Sequence, residues 1–246
     1  MTPLVLLHAF PLDSAMYAEV VEALGVEVFT PDLPGFGGLP SLPDEPTLDA
    51  YADYVAAWLD AAGVERAIVG GTSMGGYVAM AFCRRFTERV SALALIDTKA
   101  SADPASAAEG RRTMARRMTD ESTTQPLLEL VLPKLLGETT KGMSADISAR
   151  VEGWVRDADP IGAAWAQQAM AARPDSLATL RDVDVPSLVI VGEEDVLAPP
   201  IDAGVMAAAL TDTELLLIPG VGHLTPIEAP REVASALQRL MHRVDG

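Results

Sequence analysis

A serine flanked by glycines two residues away on either side stands in Gly71-Thr72-Ser73-Met74-Gly75, followed at once by Gly76. A G-x-S-x-G segment suits nucleophilic catalysis when it turns a strand into a helix, because the strained backbone exposes the hydroxyl and the glycines let neighbouring backbone pass closely. A helix starting there also offers free N–H groups to any oxyanion formed beside it. By itself the pattern is weak, and the competing explanation is a turn whose serine merely caps the helix. A serine hydroxyl further needs a base to take its proton during attack, and histidine is the usual one. Of the three histidines, His223 follows Pro219-Gly220-Val221-Gly222, a glycine-rich approach just after an apolar run. His8 ends another apolar run and reads as a buried polar residue steadying its own loop, whereas His242 in the C-terminal tail reads as solvated.

An imidazole base needs an acid on its second ring nitrogen, to fix the tautomer and stabilise the imidazolium of the transition state. Asp195 closes Val191-Gly192-Glu193-Glu194-Asp195 and gives the chain order Ser73, Asp195, His223. Glu193, Glu194 and Asp97 are the alternatives. The oxyanion requires two backbone donors, and Met74, next after the serine, and Phe10, in the loop after the first apolar run, are the candidates. Packing is the other reading of Phe10.

The elements that must position these groups alternate. Pro3 to His8, Val26 to Thr30, Ala67 to Gly70, Ala92 to Ile96, Ser187 to Val191 and Glu214 to Ile218 read as buried strands bounded by turn residues. Between them, Leu48, Tyr51, Ala52, Val55, Leu59 and Ala62 recur at helical steps before Gly63, Tyr77 to Cys83 is an almost wholly apolar helix, and further helices run from Asp202 to Leu210 and through Val233, Leu237, Leu240 and Met241. Strands joined by helices require an α/β fold with a doubly wound, mostly parallel sheet, whose reactive groups gather beyond the carboxyl ends of the strands. From Lys99 to Asp182 no strand is evident and helical stretches dominate. The expected division is a core of residues 1–98 and 183–246 with a helical insertion at 99–182.

Within the insertion, Arg111, Arg112, Arg116 and Arg117 spread round a helix and read as a solvated, self-paired face rather than a carboxylate site. Trp154 and Trp165 are substrate-binding candidates and, with Met118, Met143 and Met170, suggest an apolar pocket, although such residues more often serve packing. Cys83, within an apolar helix, reads as a small hydrophobe. Asp32 and Gly35 read as shaping a turn near the site.

The 246 residues carry 35 acids against 18 bases, a formal charge of −17, so phosphate backbones and anionic headgroups are repelled over most of the surface. Neither nucleic acid nor a membrane is an expected partner, and no signal peptide or membrane span is evident. A single cysteine gives no intramolecular disulfide and no thiolate metal site, which points to the cytoplasm.

Taken together, His8-Ala9-Phe10-Pro11, Asp32-Leu33-Pro34-Gly35-Phe36-Gly37, Gly71 to Gly76, Gly192 to Asp195, and Gly220 to His223 with Glu228-Ala229-Pro230 resemble the α/β-hydrolase family, in particular its small enol-lactonase, carboxylesterase and cofactor-free haloperoxidase-like branch. The resemblance implies Ser73 as nucleophile, His223 as base, Asp195 as orienting acid, Phe10 and Met74 as oxyanion donors, and a helical lid within residues 99–182. It implies hydrolysis of a small ester or lactone without cofactor or metal. Perhydrolase, haloperoxidase or lyase chemistry on the same triad, and a non-catalytic small-molecule receptor, are the rival readings. Two departures stand out. Ala9 replaces a glycine common in the family, which is costly if that position requires positive φ. The N-terminal hairpin usual in the family is missing, so the sheet should have six strands and an edge that is bare or covered by another copy in a homo-oligomer.

Overall fold

The computed structural model describes residues 1–43 and 45–246. Its centre is a six-stranded sheet in the order β2-β1-β3-β4-β5-β6, built from β1 (Leu4–Leu7), β2 (Val28–Phe29), β3 (Ala67–Thr72), β4 (Val90–Ile96), β5 (Ser187–Gly192) and β6 (Thr213–Ile218). Every neighbouring pair is parallel. This is the α/β architecture expected, with six strands and no antiparallel hairpin at the edge. Strands β1, β3 and β5 are buried along their whole length, which is why they read as continuous apolar runs rather than as alternating ones.

Helices α1 (Ala18–Leu24), α2 (Leu48–Ala61) and α3 (Met74–Arg85) connect the first four strands. Thr47 begins α2 by accepting the Ala50 N–H on its hydroxyl, and Leu48, Tyr51, Ala52, Val55 and Leu59 form its buried face. Strand β2 pairs over only two residues instead of the five expected. It lies at the sheet edge with a single partner, Pro31 follows soon after, and Phe29 is held by edge-on packing against Trp58 rather than by more ladder. The opposite edge strand, β6, leaves Leu215 and Leu217 about half exposed.

Six helices stand between β4 and β5: α4 (Ala105–Glu121), α5 (Gln125–Leu130), α6 (Glu138–Met143), α7 (Ala145–Asp157), α8 (Pro160–Ala171) and α9 (Leu177–Arg181). Small residues line the buried side of α8, where Gly162 meets Gly35 so closely that a Cβ on Gly162 would lie 2.1 Å from the Gly35 carbonyl oxygen. The turn at Asp32 and Gly35 is thus clamped between this helix and the Ser14 N–H, which donates to Asp32 at 2.7 Å. The chain returns through β5, α10 (Pro200–Ala209), β6, α11 (Thr225–Glu228) and α12 (Pro230–Asp245), the last burying Val233, Leu237 and Leu240. Among the described residues no helix is long and apolar enough to cross a membrane.

Register determines where chemistry can sit. Leu7 pairs with Gly71, Thr72 with Ile96, Ile96 with Ile190, and Gly192 with Ile218, so five strands end at one rim. The segments leaving that rim carry His8 to Phe10, Ser73, Asp97, Glu193 to Asp195, and His223.

Candidate active site

Ser73 occupies the step from β3 into α3 with φ 54° and ψ −112°, a conformation that costs a non-glycine residue roughly 1–3 kcal/mol. Three hydrogen bonds hold it there. Its N–H donates to the Ile96 carbonyl at 2.9 Å, and its own carbonyl accepts the Tyr77 N–H at 3.2 Å and the Thr98 hydroxyl at 2.8 Å. The flanking glycines are required by close approach: a Cβ on Gly71 would fall 2.2 Å from the Gly75 carbonyl carbon, and one on Gly75 would fall 2.0 Å from the Leu7 oxygen. The hydroxyl does not cap α3. It lies 2.8 Å from His223 Nε2 instead, which removes the capping explanation of the motif.

His223 Nδ1 is 2.8 Å from Asp195 Oδ2, and both residues are 3% exposed. Asp195 Oδ1 accepts the Leu197 and Ala198 N–H groups at 2.8 and 3.0 Å, so backbone donors aim the carboxylate. Because an ionised carboxylate only accepts, this network assigns the imidazole proton to Nδ1 and leaves Nε2 as the acceptor facing the Ser73 hydroxyl. The loop bearing the imidazole is fastened twice. His223 N–H donates to the Leu135 carbonyl at 3.2 Å, and the Glu228 carboxylate accepts the N–H groups of Gly222, Leu224 and Gly137.

The other acids are engaged elsewhere. Glu193 accepts the Gly220 N–H and Glu194 the Thr139 N–H. Asp97, fully buried after β4, accepts the Gly192 N–H at 3.1 Å and the Thr225 N–H at 2.8 Å. Burial, and after it the charge of Asp195, push its carboxyl well above the usual carboxylate range, against those backbone bonds. His8 is buried, accepts the Leu33 N–H on Nε2 and donates from Nδ1 to the Ala9 carbonyl; burial lowers its pKa and favours the neutral ring, in keeping with a loop-steadying role. Neither the Phe10 nor the Met74 N–H meets an acceptor among the described residues. Ala9 is not among the residues with positive φ, so the alanine there carries no backbone penalty.

Ser73 and His223 open into a cavity of about 290 Å³ that Phe10 and Tyr77 also line. Its wall is largely apolar, as expected, with a polar sector the sequence did not signal. Met114, Leu135 and Met170 contribute apolar surface, but Lys99, Asp103, Arg111, Lys134 and Gln167 stand beside them. Neither tryptophan lines it. Trp165 packs against Tyr51 with ring centroids 4.6 Å apart, and Trp154 borders a separate depression with Gly37 and Asp159, its ring under the Arg150 guanidinium. Met118 is wholly buried and Met143 largely exposed. The arginine cluster divides: Arg112 and Arg116 pair with Glu109, and Arg117 with Glu121 and Glu129, on the exposed side, while Arg111 turns inward to Asp103. Among the described residues no group of three or more His, Cys, Asp or Glu side chains is placed to hold a metal ion.

A family model described as the alpha/beta hydrolase fold matches residues 2–230. The chain belongs to the α/β-hydrolase family. The pimeloyl-acyl-carrier-protein methyl ester esterase of Aromatoleum aromaticum is 29% identical over 96% of both chains. A thermophilic esterase from Thermogutta terrifontis, solved with malate bound, is 35% identical and superposes with a TM-score of 0.96 over 100% of this chain and 91% of its own. The enol-lactonase of Burkholderia xenovorans LB400, at 24% identity, shares the fold with a TM-score of 0.85 over 98% and 92% of the two chains. With relatives of this kind across its whole length, this α/β-hydrolase chain is a hydrolase. Asp103 and Lys99 are residues near the site that sequence reasoning did not single out, and Glu228, quoted as part of a motif, was given no role. Glu228 had a signal, since it follows the histidine loop by five positions in an otherwise apolar stretch.

Proposed function

We propose that this α/β hydrolase cleaves a small carboxylic ester or lactone by acyl transfer through Ser73, His223 and Asp195. The observation that carries the reading is the unbroken relay from Asp195 through His223 to the Ser73 hydroxyl, both steps being 2.8 Å. The Ser73 oxygen attacks the carbonyl carbon as its proton passes to His223 Nε2, and the carbonyl electrons move onto the oxygen. The Met74 and Phe10 N–H groups receive that oxyanion; their lack of protein acceptors supports the assignment. When the tetrahedral intermediate collapses, the C–O bond to the alcohol breaks and His223 protonates the leaving oxygen. Water then enters, gives its proton to His223 and attacks the acyl-enzyme; collapse returns the proton to Ser73 and releases the acid. In this reading helices α4 to α9 form the lid over the site, and the esterase names of the two most similar relatives above support ester chemistry. The lone thiol, Cys83, is buried and pushed up to about 12 by burial, which suits a bystander in a reducing compartment rather than a second nucleophile.

The test is Ser73→Ala with p-nitrophenyl acetate, together with mass spectrometry after a fluorophosphonate probe. Turnover should fall to background and the probe should label Ser73 alone in the unaltered protein. Substantial turnover by the alanine variant, or labelling elsewhere, would overturn the assignment.

A further inference from the structure

The cavity beside Ser73 is electrostatically unbalanced. Among the described residues Asp103 is the single carboxylate on its wall, 3% exposed in its side chain, and three cations share it: Arg111 at 2.6 Å, Arg173 at 3.1 Å and Lys99 at 4.0 Å. The tally is two positive charges in excess, on a chain whose net charge is −17. Lys134 on the same wall adds a further positive charge. Lys134 is exposed, but Arg111, Arg173 and Lys99 are withdrawn from water, with side-chain exposures of 24%, 3% and 21%. The Arg173 guanidinium carbon stands over the Tyr77 ring, 4.2 Å from its centre, and its Nε and one terminal nitrogen are buried without a hydrogen-bond partner among the described residues. An excess of half-buried cations is unfavourable unless an anion comes to meet it.

Two of these cations, Arg111 and Lys99, line the cavity and keep donors in reserve. Arg111 uses Nε on Asp103 and one terminal nitrogen on the Gln167 side-chain oxygen, which leaves its other terminal nitrogen uncommitted. Among the described residues Lys99 makes only a long 3.4 Å bond to the Leu197 carbonyl besides its loose approach to Asp103. Asp103 and Gln167 thereby hold the guanidinium in one orientation without neutralising the cluster. The volume of about 290 Å³ is at the low end of small-molecule sites, which span roughly 300–1,000 Å³, so an anion held by these cations and a carbonyl at Ser73 belong to one short molecule.

We infer that the substrate is a short ester bearing a free carboxylate, which Lys99 and Arg111 bind while the ester carbonyl faces Ser73. This rests on the hydrolase reading of Ser73 and adds the substrate class. Hydrolysis consumes one water and releases an alcohol and, from a hemiester, a dicarboxylate.

The experiment compares monomethyl with dimethyl glutarate, which share a skeleton and differ in one charge. The specificity constant kcat/KM should favour the monoester by about tenfold or more, as expected when a charge-assisted hydrogen bond is lost with the neutral compound. Lys99→Gln should bring that ratio towards one. In parallel, calorimetry with free glutarate and the Ser73→Ala protein should detect binding that Lys99→Gln weakens by about tenfold or more. Cleavage of the dimethyl ester in preference to the monoester overturns the inference while leaving the triad standing. If neither glutarate ester is cleaved while p-nitrophenyl acetate is, this inference fails and the triad stands; if none of the three is cleaved, the triad reading fails and the glutarate titration still decides this one. Absence of glutarate binding, or inorganic phosphate binding as tightly as glutarate, overturns the carboxylate assignment.

Discussion

Replacing Asp195 by asparagine separates chemistry from folding at this site. The geometry dictates which way the amide turns: its oxygen must take the place of Oδ1, where the Leu197 and Ala198 N–H groups donate, so its NH2 points at His223 Nδ1. The imidazole then keeps a hydrogen bond only by moving its proton to Nε2, and a protonated Nε2 cannot accept the Ser73 proton. A wrong tautomer in a serine triad costs about 10⁴ in kcat, or roughly 5 kcal/mol of transition-state stabilisation. Backbone bonding is untouched, so thermal unfolding should move little. Asp195→Ala is the contrasting variant, because it also removes the acceptor of two N–H groups. Each unsatisfied buried donor costs about 1–3 kcal/mol, and a chain of this size loses roughly 2–4 °C per kcal/mol. The expected pair of results is therefore an inactive but stable Asn variant and an inactive Ala variant that melts several degrees lower, measured by p-nitrophenyl acetate turnover and calorimetry. An Asn variant retaining more than about a tenth of the activity would refute the reasoning and return Asp97 to consideration.

Two further outcomes follow from local geometry and charge. Ser73→Gly should unfold at higher denaturant than Ser73→Ala, because relief of roughly 1–3 kcal/mol of strain at φ 54° exceeds the 0.5–1 kcal/mol that glycine flexibility costs; equal midpoints would show the serine to be unstrained. At Asp103 burial alone would raise the carboxyl, but Arg111 foremost, then Arg173 and Lys99, hold it below 3.8. A depressed folded-state pKa contributes stability that is complete above the unfolded value and is lost as pH falls through the folded one. Urea unfolding should therefore find Asp103→Asn less stable than the unaltered protein near neutrality, with the gap closing on acidification below 3.8, and a gap that widens there would contradict the charge assignment.

Periodicity made most of the fold legible. The buried runs of β1, β3, β4 and β5 and the apolar stripe of α2 have no other use in a globular chain. What escaped was decided by distant packing. Helix α3 begins at Met74, three residues before the apolar run that signals it, because Gly75 and Gly76 are poor helix formers that the Leu7 carbonyl and the Thr98 side chain leave no room to enlarge. The site divides in the same way. Ser73, Asp195 and His223 announce themselves because each sits at a strand end in a short, chemically particular context. The four arginines of α4 look alike in sequence. Only Asp103, eight residues before Arg111 and buried, and Gln167, far along the chain on α8, select which one turns inward. The tryptophans show the converse error, since aromatic residues in the inserted helices serve the packing of α7 and α8 and not the cavity wall.

The rivalry between Asp97 and Asp195 for the imidazole resolves into a division of labour. Both are buried at the same rim, and two carboxylates in electrostatic contact resist joint ionisation. Asp97 takes one N–H from Gly192, at the root of the loop that presents Asp195, and one from Thr225, two residues past His223. It therefore spans the two segments whose relative position sets the distance between Asp195 and His223. Burial, and after it the charge of Asp195, push the Asp97 carboxyl upward, while its two backbone bonds keep it in place as a brace. An acid that sequence order leaves as a competitor thus supports the pair by its position, tying the loop of Asp195 to the segment that follows His223.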